Sequence, residues 1–362
     1  MAKITVNSSD LLRIATRAKA VAPKQSIRPI LPSARLRMTN GALAIVATDI
    51  GTYYRETVAG RSDGSFDICV NAHDFFNAVK CAGRAAEITL EIGDNSIQIE
   101  SSNGANALKT MPSDEFPEFL EPKGDLIYSG SALSRALELG SIARSKDATR
   151  PGLCGVCVHV LPAGMTRAVS TDGFRLALSE CEGNTSEKET QTLVDAEFTK
   201  LLADVSKGVF AALSRDDNWV WAMTGGVDLA HHYSHSSFPR YEKVLPSEFK
   251  HEFVFDRKAL KSALADLVKA QGEYEHHARI AYASGYARIE VENEGNVSSR
   301  TVPCTCDVDN FEIALDTRYM LDVAKAYSGK DLILKFNDNL GPVQFEEKGT
   351  RYVLTPVKFV KM

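Results

Sequence analysis

Three groups of residues in this 362-residue chain could do chemistry. The first is the turn Ser170-Thr171-Asp172-Gly173-Phe174-Arg175-Leu176-Ala177, set between two strand-like runs. Gly173 is free to take positive φ and Asp172 can bond backbone amides two residues on, so the segment reads as a tight turn. Arg175 and Leu176 then leave it on opposite faces of the next strand. The second group is made of ligand-like clusters: Cys154-x-x-Cys157, Cys304-x-Cys306, His231-His232 with His235, and His276-His277. A structural zinc needs four ligands at matched spacing, and each cluster stops at two or three. Cysteines inside strands and histidines on a loop are the plainer reading. The third is Ser328-Gly329-Lys330, which ends like a phosphate-cradling loop but lacks the earlier glycine. No G-x-G-x-x-G follows a strand either. No catalytic residue, metal or cofactor is therefore expected. The enzyme alternative is a metal-assisted site at the Asp172–Arg175 turn and the histidine loop.

Composition bounds the class. With 44% hydrophobic and 25% charged residues the chain is an ordinary globular protein, long enough for two or three domains. A formal net charge of −5 excludes a generally basic coat but not a local basic surface. The start, Met1-Ala2-Lys3-Ile4-Thr5-Val6, carries no apolar leader, and no run has the length to cross a bilayer. Seven cysteines, an odd number, suit a reducing compartment. The expectation is a cytoplasmic protein without a membrane partner.

The elements that must position these residues repeat. A strand end followed by a helix cap occurs at Val6-Asn7 before Leu11, Tyr128-Ser129 before Leu133, and Phe255-Asp256 before Leu260. A second such entry occurs at Asn71, Asp195 and Asp316, each followed by apolar residues at helical spacing. Ala47-Thr48-Asp49 matches Ser170-Thr171-Asp172, with only Glu292-Asn293 near that place in the last third. Phe116-Pro117 and Phe238-Pro239 close the first two units. These landmarks share a period of roughly 120 residues, that of a whole domain repeated three times. The divisions fall in polar, proline-bearing links, giving units 1–122, 123–246 and 247–362. Each unit holds two helices and many short alternating strands, among them the hairpins 86–92 with 96–100 and 332–336 with 343–346. The fold class is α+β.

The predicted helices and the loops beside them are basic. Arg13, Arg17 and Lys19 lie on the first, with Arg28 following; Lys80 and Arg84 mark the second. The middle unit offers Lys146, Arg150, Lys200 and Lys207, and the third Lys261 among others. Acid concentrates at helix starts, where it complements the dipole. Repetition over all three units favours a shared basic surface over chance scatter.

Taken together, the threefold frame and three motifs resemble the bacterial β sliding clamp family, the processivity subunit of DNA polymerase III. Thr171-Asp172-Gly173-Phe174-Arg175-Leu176 is similar to that family's T-D-G-H-R-L. Phe238-Pro239-Arg240-Tyr241-Glu242-Lys243-Val244-Leu245-Pro246 is similar to F-P-D-Y-R-x-V-L-P, and Tyr352 to Phe359 to Y-V-V-M-P-M-R-L. Phe174 stands for a usual His, Lys243 for an Arg, and Thr355 and Val357 for two Met.

The resemblance implies three clamp domains per chain, half of a ring that two chains close around duplex DNA. It implies DNA contacts at Arg28, Lys80, Arg84, Lys146, Arg150, Lys200, Lys207 and Lys261. Homodimer contacts are implied at Asn106 and Leu108 on one side and Leu267 and Val268 on the other. An apolar pocket for partner peptides is carried over onto Leu153, Thr171, Gly173, Phe174, Arg175, Leu176, Pro239, Lys243 and Val244. Its other wall comprises Tyr319, Leu340, Pro342, Val353, Leu354, Thr355, Pro356, Val357 and Lys358. Expected partners are double-stranded DNA without sequence preference, the DNA polymerase III catalytic subunit, a clamp loader complex and other clamp-binding-motif proteins. A scaffold of the same fold that serves repair or transcription without encircling DNA is the other alternative.

Overall fold

The computed structural model describes residues 2–83, 85–124, 127–272 and 276–357, with residues 127–129 by their backbone alone. Among these are seven helices: α1 Ser8–Val21, α2 Ala72–Cys81, α3 Leu133–Gly140, α4 Pro151–Cys154, α5 Ala196–Val205, α6 Arg257–Ala270 and α7 Thr317–Ala326. The strands form three sheets in which the described pairings run antiparallel, so the α+β class holds.

The caps are the reason the helices start where they do. The Asn7 side chain accepts from the amides of Ser9 and Asp10, and Asn71 from those of His73 and Asp74. Asp195 accepts from Phe198, Asp256 from Ala259, and Asp316 from Arg318 and Tyr319. Each satisfies first-turn donors that have no partner inside the helix. The expected cap at Ser129 has a side chain outside the described residues, and the helix starts later than that cap would set it. α3 begins at Leu133 with Ala132 in the cap position and no side-chain bond. Close packing fixes this helix in place of a cap: its last residue, Gly140, lies against strand Met165–Thr171, where a Cβ would sit 2.3 Å from the Ala168 carbonyl oxygen.

The chain divides into two compact units, Met1–Ser131 with Asp204–Tyr233, and Ala132–Ala203 with Ser234–Met362. The middle stretch of sequence is therefore shared between them. In the first unit, strand Thr52–Ala59 pairs with Val227–His232 inside a nine-stranded sheet. A five-stranded sheet accompanies it and ends on strand Gly104–Lys109, whose Asn106 and Leu108 stand opposite Ile99 and Ile97.

α1 buries Leu11, Ile14, Ala15 and Ala18. Its arginines are paired with acid: Arg13 and Arg17 each reach Glu56 at 2.9 Å, and Glu56 is 3% exposed. Arg17 also meets Asp204 at 2.7 Å, and the Tyr54 hydroxyl donates to Glu56 at 2.6 Å. A buried carboxylate is costly unless paired. These two cations pair it: Arg17 is 12% exposed and committed to the fold, while Arg13 keeps 45% of its side chain at the surface.

The second unit carries a twelve-stranded sheet. Its core stacks Phe253, Phe255, Phe311 and Phe336 under α6 and α7. Leu267 is fully buried in that core and Val268 packs half-buried against it. Leu267 therefore offers no surface to a second chain, a correction that follows from its place on the inward face of α6. An open edge exists elsewhere. Strand Asn296–Cys306 pairs with Tyr286–Asn293 through residues 296–303, but only Cys304 to Cys306 pair on its other side, with Phe253 to Phe255.

Replacing Gly140 by Ala should destabilise the protein by about 1–3 kcal/mol, because the backbone carbonyl of Ala168 cannot step aside as a side chain would. Urea unfolding of the two proteins measures this; an unchanged midpoint would contradict the close approach.

Candidate functional site

The turn at residues 171–175 is tied by its own side chains. Thr171 Oγ1 donates to the Arg175 carbonyl at 2.6 Å and accepts from the Gly173 amide at 3.1 Å. Asp172 Oδ1 accepts from the amides of Phe174 and Arg175. Gly173 takes φ 97°, and a Cβ there would lie 2.8 Å from the Arg150 guanidinium. The turn at Thr48 has the same wiring. Thr48 Oγ1 donates to the Thr52 carbonyl and accepts from the Ile50 amide, while Asp49 accepts from Thr52. Ile50 takes φ 80° at the place of Gly173.

From the turn, strand Arg175–Glu182 runs antiparallel to Thr350–Leu354, with Arg175 opposite Leu354. The Thr355 amide donates to the Phe174 carbonyl at 3.0 Å, so the tail is stitched to the turn. The Arg175 side chain is 9% exposed and engaged through Nε and Nη1. It donates to Asp172 at 2.8 Å, Asp322 at 2.8 Å and the Tyr352 hydroxyl at 2.9 Å, and its guanidinium lies 3.9 Å from the Tyr319 ring centre. Burial works against its charge, but Tyr352, Asp322 and Asp172 outweigh burial and raise its pKa. Burial pushes the Tyr352 hydroxyl up as well.

Beside this turn opens a cleft of about 570 Å³. Leu153, Thr171, Gly173, Phe174, Arg175, Leu176, Pro239, Lys243, Val244, Pro342, Val353 and Thr355 line it, as the motifs led one to expect. The remainder of the expected wall lies elsewhere. Tyr319 sits under Arg175, Leu340 is 63% exposed on the next turn, and Leu354 is 1% exposed in the core. Alternation along the last strand explains the split, since Val353 and Leu354 point to opposite faces. Pro356 and Val357 are half-buried beyond the lining, and Lys358 lies outside the described residues. Arg150, Arg240, Tyr241, Leu245 and Pro246 also line the cleft. Four of these sit in the Phe238–Pro246 stretch, so that motif as a whole was the available signal.

The linker is anchored from beneath. Tyr241 is 1% exposed, its hydroxyl 2.6 Å from His159 Nδ1, and burial pushes that hydroxyl up to about 12. His159 Nε2 in turn lies 2.8 Å from Glu189.

Of the cations expected at DNA, Arg28, Lys80, Lys146, Lys207 and Lys261 are exposed. Lys200 is exposed and pairs with Glu197 at 2.9 Å. Arg84 lies outside the described residues. Arg150 is exposed as well; its Nη1 donates to the Asp172 carbonyl at 3.0 Å and it lines the cleft.

Among the described residues no group of three or more His, Cys, Asp or Glu is placed to hold a metal ion. Burial pushes the Cys69, Cys157 and Cys304 thiols up to about 12. Cys81 is exposed. A thiol reagent at pH 8 should therefore modify Cys81 in the native protein and reach these three only on unfolding. Peptide mass mapping checks this, and native labelling of Cys157 would contradict it.

Comparison with known proteins bears on the whole chain. Residues 2–120 match the model of the DNA polymerase III beta subunit, N-terminal domain. The beta sliding clamp of Pseudomonas putida is 24% identical over 98% of this chain and 99% of its own length. That of Synechococcus elongatus gives the same figures, and that of Escherichia coli is 21% identical over 98% and 100%. Among solved structures, the DNA polymerase III beta subunit of Thermotoga maritima superposes with a TM-score of 0.88 at 24% identity, covering 99% of this chain and 100% of that one. A Pseudomonas aeruginosa sliding clamp bound to griselimycin gives 0.88 at 21%, with the same coverage. Over its first third this chain is similar to the DNA polymerase III β subunit's N-terminal domain, over its whole length it is similar to bacterial β sliding clamps, and it shares their fold.

Proposed function

We propose that the chain is a sliding clamp for DNA replication, with no catalytic step of its own. Two copies close head to tail into a ring around duplex DNA, each supplying three repeats, 1–122, 123–246 and 247–362. The ring tethers the DNA polymerase III catalytic subunit and other partners through peptides that dock in the cleft beside Arg175. An ATP-driven clamp loader, a separate complex, opens it. The cytoplasm is the compartment of such work, and no helix among the described residues is long and apolar enough to cross a membrane.

The observation that carries this reading is the cleft itself. The family's turn, linker and tail motifs are far apart in sequence, yet their residues line one apolar hollow. Such a hollow with a few convergent polar groups suits a short peptide. Two further features support the ring. Each unit has an unpaired strand edge, Gly104–Lys109 in the first and residues 296–303 in the second. An exposed edge is a hazard that pairing with another chain removes, and a heterologous contact of this kind closes into a ring when its rotation closes. The exposed cations Arg28, Lys80, Lys146, Lys200, Lys207 and Lys261 come from all three repeats. Contacts from such groups to phosphate carry no sequence information and weaken with salt, as sliding requires.

Sedimentation should give twice the 39.5 kDa of one chain. Leu108→Asp, which puts a charge on the first unit's edge, should give the single mass with unchanged circular dichroism. A monomer in the unsubstituted protein would refute ring closure through these edges.

A further inference from the structure

The cleft lining contains four cations, Arg150, Arg175, Arg240 and Lys243, and no Asp or Glu. Arg175 is already paired with Asp172 and Asp322 and bonded to Tyr352 through Nε and Nη1. The other three are exposed, and among the described residues none makes an ion pair with a carboxylate. Arg150 spends one donor on the Asp172 carbonyl and keeps the rest of its fork. Asp147, the acid nearest to it in sequence, gives its carboxylate to the amide and hydroxyl of Thr149.

The linker turn sorts charge by geometry. Tyr241–Val244 is a 3₁₀ turn with Arg240 at its cap position. Arg240 and Lys243 line the cleft, as does every residue from Pro239 to Pro246 except Glu242. The Glu242 carboxylate lies instead 3.7 Å from His159 Nδ1. The neighbouring walls, Leu153, Leu176, Val244 and Val353, are apolar. Low dielectric beside a cation strengthens its attraction for an opposite charge.

We propose that the cleft selects peptides that carry carboxylate side chains next to their apolar anchors, with Arg240, Lys243 and Arg150 as the recognising groups. This rests on the reading of the cleft as a peptide site. The apolar walls take the anchors and the three cations take the acids; Arg150 and Arg240 offer planar forks suited to two-point bonds with a carboxylate. Apolar walls of this kind give a nucleic-acid backbone little to bind, so peptide is the occupant argued for. Complementary charge at a rim mainly sets partner choice and encounter rate.

The test is fluorescence anisotropy with the full chain and two labelled peptides. Both carry the same Leu-Phe anchor and blocked termini; one has Asp on either side of the anchor and the other Asn. In low salt the Asp peptide should bind roughly 10-fold tighter, because charge-assisted hydrogen bonds are about twice as strong as neutral ones. The gap should close toward 1 M salt, where the screening length falls to about 3 Å. The double variant Arg240→Glu with Lys243→Glu should reverse the preference, with its melting curve confirming the fold. Equal affinities in low salt, tighter binding of the Asn peptide, or a preference the double variant leaves unmoved would overturn the charge assignment while the cleft stays a peptide site. Displacement of the Asp peptide by a short DNA duplex would give these cations to phosphate and overturn it too. Binding of neither peptide would overturn the peptide reading and this inference with it.

Discussion

The Arg175 guanidinium joins three segments that lie far apart in the chain: the turn at Asp172, α7 at Asp322 and the last strand at Tyr352. Burying that cation would cost several kcal/mol on its own, and only its full set of partners makes the position stable. The backbone pairing of Arg175–Glu182 with Thr350–Leu354 runs directly from it. Without this junction the floor and wall of the cleft would have no fixed relation. Turn, α7 and tail are therefore held together by a single charge satisfied where they meet, and the linker joins them through Tyr241 on His159.

A second theme is the division of labour among basic residues. Arg17 and Arg35 are largely buried and committed to Glu56, Asp204, Asp67 and Glu118, and the more exposed Arg13 also pairs with Glu56. Arg257 donates to the carbonyls of Gly329 and Ala324, which leaves it equally committed. The lysines behave differently. Lys80, Lys146, Lys207 and Lys261 reach solvent, as suits a compact, strongly hydrated charge on a flexible stem. A chain with net charge −5 can still present a basic surface this way.

Much of this was legible in the sequence, for physical reasons that differ from element to element. Asn7, Asn71, Asp195, Asp256 and Asp316 announced helices because a cap is a local bond between neighbours. Ser129 misled because α3 is fixed by Gly140 against Ala168, a tertiary contact that no local pattern encodes. The turn at Asp172 was readable from glycine and aspartate alone, and its wiring recurs at Thr48. Leu354 was expected in the cleft wall and Leu267 at the dimer contact, yet both lie in cores. A strand or helix face is set by register, and single-residue register is what resemblance transfers least well. The place of Arg150 in the cleft escaped because the carbonyl that takes it belongs to a turn distant in the chain.

The proposed clamp depends on enclosure: DNA threaded through the ring would be held by topology, with phosphate contacts only smoothing its passage. Its most direct measurement is retention of loaded protein on a nicked circular plasmid in high salt, before and after one restriction cut. Enclosure predicts that protein stays on the circle at a salt level that abolishes phosphate contacts and departs within moments of linearisation. Equal retention on circular and linear DNA, or loss from both as salt rises, would contradict it.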